Sequence, residues 1–517
     1  MRDWKRGQQI HSVMKSKVHR NIQLTNTLID FYGSSGDLQT AQKLFDGVDR
    51  RKRISSTLNV MMKALLSNKQ PANALTLYRQ CEGLTDDISH LLALKSCIET
   101  SDFKSGRHII ETKMSSKGSD QQHIAWKTAM IEFYGYSGDL ETAESIFRSI
   151  TDIQRDIITT SAMMGVYVQN GASSKALDLY DLCSSPKDNI SRVLALKACI
   201  ECGAFAKGKE IHAAVHNEGQ PMSIELQNTL IDLYGTLGEV RVSQRIFERI
   251  PDGQRTIESV NAMMDAFCGS NMNVQCIELY GRIESEYALT PTMITYAVAL
   301  KACTQGTMLH FGQRIDAQLE EWMRSDLSIQ VHLINLYGKC GRLEECEGIF
   351  DGVRGDEERG GYLKEIRIWN AMIKAYGRNG DPQRGKALLD EMRRETELVP
   401  DNQIWKTLII AYGHSGDAVG AKEMWSNEIP QDLKYDNAVI TALVDCFARK
   451  GLVEDAYRFV VEYCEYDGSN RSEDKAMWIS LLSGCKSFGF EDIAKIAFSE
   501  IERRYGSVSE SFVDDDV

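Results

Sequence analysis

Residues 26–45 read NTLIDFYGSSGDLQTAQKLF, and the same phrase returns as TAMIEFYGYSGDLETAESIF from Thr128, NTLIDLYGTLGEVRVSQRIF from Asn228 and VHLINLYGKCGRLEECEGIF from Val331. Tyr32, Tyr134, Tyr234 and Tyr337 lie 102, 100 and 103 residues apart, so one register runs through most of the chain. Self-similarity at a fixed period identifies a repeat array before any side-chain chemistry is considered. Each copy also has a local physical reading. The apolar run Leu28, Ile29, Phe31 and Tyr32 ends at Gly36, which suits a left-handed helix cap, and Asp37 is placed to cap the next helix. Leu38, Ala41, Leu44 and Phe45 follow at helical spacing. Two amphipathic helices joined by so short a turn form an antiparallel hairpin, whose apolar faces are buried only by stacking on neighbours. The glycines of the YG and SGD pairs read as turn residues.

Two other hairpin types fill the intervals. One is LALKACIECGAFAKGKEIHAAV from Leu194, with relatives at Leu92 and Val298; the other is SAMMGVYVQNGASSKALDLYDL from Ser161, with relatives at Asn59, Asn261 and Asn370. The hundred-residue period is therefore three hairpins of roughly 31 to 39 residues in fixed order. The three types resemble the P, L and S motifs of PLS-class pentatricopeptide repeat (PPR) proteins, with LKAC and GKEIH marking P, LIDLYG marking L and NAMI marking S. The resemblance implies an all-α fold, a right-handed superhelical solenoid of antiparallel hairpins. It also implies an organisation: residues 1–21 an incomplete P-type repeat, 22–401 an array of P, L and S motifs, 402–505 a variant terminal triplet, and 506–517 an acidic tail. The opening GQQIH sits in the second helix of a P motif whose first helix is missing, so the N-terminus is expected to be incomplete. Relatives active in editing continue past the region of GSVSESFVDDDV into E motifs and sometimes a DYW deaminase domain.

In the family, each repeat reads one nucleotide through a polar residue on its first helix and another at its end. Carried over residue by residue, the pairs are Asn59 with Asp86, Thr128 with Asp156, Ser161 with Asp188, Asn228 with Thr256, Asn261 with Thr292, Asn370 with Asp401 and Thr441 with Asp474. The resemblance implies U for Asn with Asp, G for Thr or Ser with Asp, and a pyrimidine for Asn with Thr. Leu91, Val193, Ala297, Val331, Lys406 and Ile479 fill the first slot elsewhere and fit no pair, so those repeats read as weak binders or spacers. Unstacked bases of a single strand expose their edges, which two side chains can discriminate by hydrogen bonding. Lys63, Lys95, Lys197, Lys301 and Lys374 recur four residues after the first slot, on the same helix face, and are candidates for RNA-backbone contact; Asp30, Glu132 and Asp232 interrupt the row in the L hairpins.

Composition bounds the partners. A net charge of −13 argues against a nonspecific nucleic-acid binder. Only eight prolines in 517 residues suits nearly continuous helix. No apolar stretch approaches the roughly 18 residues of a membrane span, so no membrane partner is expected. Thirteen cysteines lack the spacing of a secreted disulfide framework, which favours a reducing compartment. Cys199 and Cys202 with His212 and His216 have zinc-like spacing, but the other P hairpins place Thr100 and Gly306 at the second cysteine and Ile110 and Asp316 at the first histidine. No metal, cofactor or catalytic residue is expected. The resemblance implies a monomeric, sequence-specific binder of single-stranded organellar RNA, marking sites for C-to-U editing with a deaminase supplied in trans. The mitochondrion is the expected compartment, with the plastid as alternative. A role in transcript stability, splicing or translation is the nearest rival, and a protein-binding scaffold is the reading from another class.

Overall fold

The computed structural model describes His11 and residues 21–115, 124–151, 155–183, 186–219, 221–354, 365–396, 398–467 and 475–505. Among these residues there are helices and turns and no strand. Two compact units divide the chain, Met1–Arg249 and Ile250–Val517. In each unit, seven antiparallel hairpins follow one another along the described chain; their first helices begin at Ile22, Ser55, Asp87, Ile124, Ile157, Asn189 and Ile224 in one, and at Ile257, Met293, Leu327, Ile366, Asn402, Asn437 and Lys475 in the other. The fold class is the all-α hairpin solenoid that the sequence predicts.

The opening phrase folds as its chemistry requires. Helix Ile22–Ser34 ends in a turn whose Gly36 has φ +86, and Asp37 accepts the Thr40 amide at 3.0 Å to start helix Leu38–Asp46. Asp139 does the same for the Thr142 amide at 3.1 Å, so the SGD glycine and aspartate are a turn and a cap.

The YG glycine is different, and here the sequence reading is corrected. Gly33 lies inside helix Ile22–Ser34 and is buried; a Cβ there would sit 2.4 Å from Ala64 Cβ of the next hairpin's first helix. Gly338 stands likewise against Ala375, with a Cβ at 2.6 Å. These glycines let consecutive first helices touch backbone to backbone. A neighbouring asparagine fastens the contact: Asn68 Nδ2 donates to Gly33 O and Ala64 O at 2.7 Å, and Asn379 Nδ2 donates to Gly338 O and Ala375 O at 2.7 Å. The apolar face packs beneath, with Ile29, Met61, Met62, Leu94 and Phe45 buried in one unit and Trp369, Leu408 and Phe447 in the other.

Candidate nucleic-acid interface

In every described hairpin the first slot is the fifth residue of the first helix, from Asn59 in helix Ser55–Ser67 to Asn370 in helix Ile366–Arg378. The second slot has a prior duty. Asp86, Asp156, Asp188, Thr256, Thr292 and Asp401 are each the N-cap of the following first helix; Asp86 accepts the Ser89 amide at 2.9 Å and Asp401 the Ile404 amide at 2.9 Å. Such a cap stabilises a helix by about 1 kcal/mol.

The geometry brings some pairs together and leaves others apart. Asn59 Nδ2 donates to both Asp86 oxygens, at 3.0 and 3.1 Å, and Asn370 Nδ2 donates to Asp401 Oδ2 at 2.9 Å. Asn261 Nδ2 reaches Thr292 Oγ1 at 3.5 Å. Thr128 instead meets Thr159 Oγ1 at 3.0 Å, while Asp156 caps the Thr159 amide at 2.8 Å. Asp188 caps the Ser191 amide at 2.8 Å, and Ser161 Oγ has no hydrogen-bond partner among the described residues. Asn228 Oδ1 and Asn370 Oδ1 are also shielded from solvent without a partner. Thr441 bonds Asn437 Oδ1 at 3.2 Å; its expected partner Asp474 lies outside the described residues. Burial holds down the ionisation of the Asp86 carboxyl, yet the Ser89 amide and the Asn59 and Ser89 side chains outweigh it and leave the pKa lowered.

The sequence reading missed one slot. Asn26 is the fifth residue of helix Ile22–Ser34; its Nδ2 donates to Ser56 Oγ at 3.1 Å and its Oδ1 is shielded and, among the described residues, unpartnered. Alignment of the opening phrase with the copy at Asn228 would have found it. A second feature escaped as well. Ile88, Ile158, Ile190 and Ile294, each the second residue of its first helix, are exposed by 56%, 67%, 61% and 64%. One turn before a slot, an exposed branched side chain offers a flat apolar contact beside the polar one.

The lysine row is a row of ion pairs in three places. Lys63 Nζ lies 3.6 Å from Asp30, Lys301 3.0 Å from Asp265 and Lys197 3.9 Å from Glu225. Burial, then Arg378, lowers the Lys374 pKa, and burial raises that of Glu132 against the pull of Lys95. The zinc-like set is dispersed into other work. His212 Nδ1 lies 2.8 Å from the Tyr234 hydroxyl, matching His11 with Tyr32 at 2.8 Å, and in a third copy Tyr337 donates to Asp316 at 2.7 Å. The recurring histidine or aspartate thus joins a P hairpin to the tyrosine of the following L hairpin. Cys97, Cys199 and Cys303 are buried core residues, and burial pushes the Cys199 thiol up to about 11. Among the described residues no helix is long and apolar enough to cross a membrane.

The PPR repeat family matches residues 25–52, 158–184, 332–356, 367–396 and 403–427. A pentatricopeptide repeat-containing protein of Arabidopsis thaliana named as mitochondrial is 25% identical over 95% of this chain and 80% of its own length. A second from the same plant, named as chloroplastic, is 24% identical over 98% of this chain and 57% of its own length. Among solved structures, maize PPR10 superposes with a TM-score of 0.51 at 16% identity, over 93% of this chain and 73% of that one. PPR10 in complex with an 18-nt psaJ RNA element gives 0.50, over 93% and 79%. A shared hairpin register, five stretches matched as PPR repeats and relatives of that description together support a pentatricopeptide repeat protein.

Proposed function

We propose that this chain is a sequence-specific single-stranded RNA-binding protein acting on organellar transcripts, and that it marks sites for C-to-U editing with the deaminase in trans. One observation carries the RNA reading. Asn26, Ser161, Asn228 and Asn370 each hold a shielded polar atom without a partner among the described residues, and all four are the fifth residue of a first helix. An unpartnered buried polar atom costs about 1–3 kcal/mol. Paying that at one register position in four hairpins is not something folding requires, and an Asn amide turns about χ2 to present either end to a ligand edge. The relatives named as mitochondrial or chloroplastic support an organellar role, with the mitochondrion as the compartment and the plastid as alternative. The solved complex of PPR10 with RNA supports the ligand class. The exposed isoleucines supply stacking contact, and the paired slots supply base discrimination; the proposed reader is monomeric and non-catalytic.

Read from the Ser55 hairpin, the expected RNA is U, any, G, G, any, pyrimidine, pyrimidine, any, any, U, any, G, with Asn26 adding a contact upstream. Selection from a randomised single-stranded pool is expected to enrich that order, and an unpaired oligonucleotide to outcompete the same sequence held in a duplex. A flat pool, or equal binding to duplex, overturns the RNA reading and favours a protein ligand. Loss of conversion at one organellar cytidine in plants lacking the protein, with transcript level unchanged, tests the editing role.

A further inference from the structure

The hairpin beginning at Asn402 has a slot unlike those on either side. Its fifth residue is Lys406, and the N-cap of the following helix is Asp436; Lys406 Nζ lies 2.8 Å from Asp436 Oδ2. One hairpin earlier, Asn370 Nδ2 lies 2.9 Å from Asp401 Oδ2. The ammonium therefore takes the amide's place on the corresponding carboxylate. The chemistry left over is not the same. Asn370 keeps an unpartnered acceptor, Oδ1, whereas a lysine carries donors and no acceptor at all. Asp436 is also committed through Oδ1, which accepts the Ala438 amide at 3.1 Å and the Val439 amide at 3.2 Å. Both side chains of the ion pair are less than one-third exposed, at 29% and 27%. A base edge meeting this slot finds no acceptor on the first-slot side chain, only an ammonium held against Asp436.

We propose that Lys406 closes this slot, so that the hairpin spans one nucleotide of a bound strand without reading it and keeps the register between Asn370 and Thr441. Lys406 is thus a specificity-determining residue that acts by exclusion. The proposal rests on the RNA reading above.

The test uses the full chain, a randomised single-stranded RNA pool, and three proteins: the natural sequence, Lys406→Asn and Asn370→Thr. Lys406→Asn recreates the Asn–Asp pair already present one hairpin earlier, and hydrogen exchange across Asn437–Arg449 verifies that the helix start is kept. The natural protein is expected to show no base preference between the positions assigned to Asn370 and Thr441. Lys406→Asn is expected to gain about tenfold enrichment of one base there and nowhere else. Enrichment at that position by the natural protein overturns the proposal, as does a position left flat by Lys406→Asn while Asn370→Thr shifts its own. If Asn370→Thr shifts nothing either, the RNA reading fails and the proposal falls with it.

Discussion

The hairpins from Ser55 and from Ile366 carry the same pair of slot residues, Asn with Asp, yet hold them differently. Asn59 is tied at both ends: its Nδ2 donates to Asp86, and its Oδ1 accepts from Ser89 Oγ at 2.6 Å. Asn370 is tied at one end only, because Ile404 stands at the position of Ser89 and has no hydroxyl to give. A hydroxyl at the third residue of the next helix is needed for this lock but does not suffice, since Ser259 and Thr57 stand there without bonding Asn228 Oδ1 or Asn26 Oδ1. In the Asn261 slot Thr295 plays the part of Ser89, donating to Asn261 Oδ1 at 2.8 Å. Two identical slot pairs need not be equal readers, since the locked amide has spent donor and acceptor on the protein.

The largest expected effect removes the frame on which the comparison stands. Gly338→Val places a branched side chain where even a Cβ would lie 2.6 Å from Ala375 Cβ and 3.0 Å from its Cα. It should destabilise the Ile366 hairpin by about 3 kcal/mol, and Gly33→Val should do the same beneath Asn59. Hydrogen exchange checks this, because a solenoid opens locally: protection in Ile366–Arg378 should fall while that in Ser55–Ser67 holds. Unchanged protection would mean the helices do not rely on the glycine.

Next comes specificity. Asn370→Thr should move base preference from U to G at one position, by about 2 kcal/mol in a competition assay, and Asn59→Thr should move its own position by less. Equal shifts would show that the lock at Ser89 is irrelevant to reading. Stability should rank the two residues the other way. Asn59→Ala breaks bonds to Asp86 and Ser89 where Asn370→Ala breaks one, so the former should cost about 1 kcal/mol more in local exchange free energy.

The smallest effect is on pH. The Asp86 pKa is lowered below its ordinary 3.8, so the charged form is favoured on folding; its stabilisation is present above that value and is lost as pH falls through the lowered folded one. Asp86→Asn, which keeps a capping side chain, should flatten this acid-side loss in a melt series below about pH 4. A slope that persists in the variant would assign the loss to other carboxylates.

What the sequence made legible was local. Gly36 and Asp37 announce a turn and a helix start because both act within four residues. The period of Tyr32, Tyr134, Tyr234 and Tyr337 announced the stacking. Gly33 was misread because its reason lies in the next hairpin, on Ala64, where no single-hairpin pattern reaches. The slot residues came from resemblance, and the structure adds what holds Asn59, Asn261 and Asn370. The Ser89 lock was written in the sequence as a capping box, aspartate followed three residues on by serine, but its second bond to Asn59 spans 30 residues. Lys406 stood out as fitting no pair; its bond to Asp436 required the fold.

The second slot being an N-cap has one more consequence. A side chain that must begin a helix is drawn from aspartate, asparagine, serine and threonine, the short residues able to bend back onto a backbone amide. Half of the proposed recognition alphabet is therefore set by the grammar of helix initiation, and reprogramming Asp86, Asp156 or Asp401 with a longer or apolar residue would give up the cap bond, as the helices that start after Ile54 and Glu365 already do.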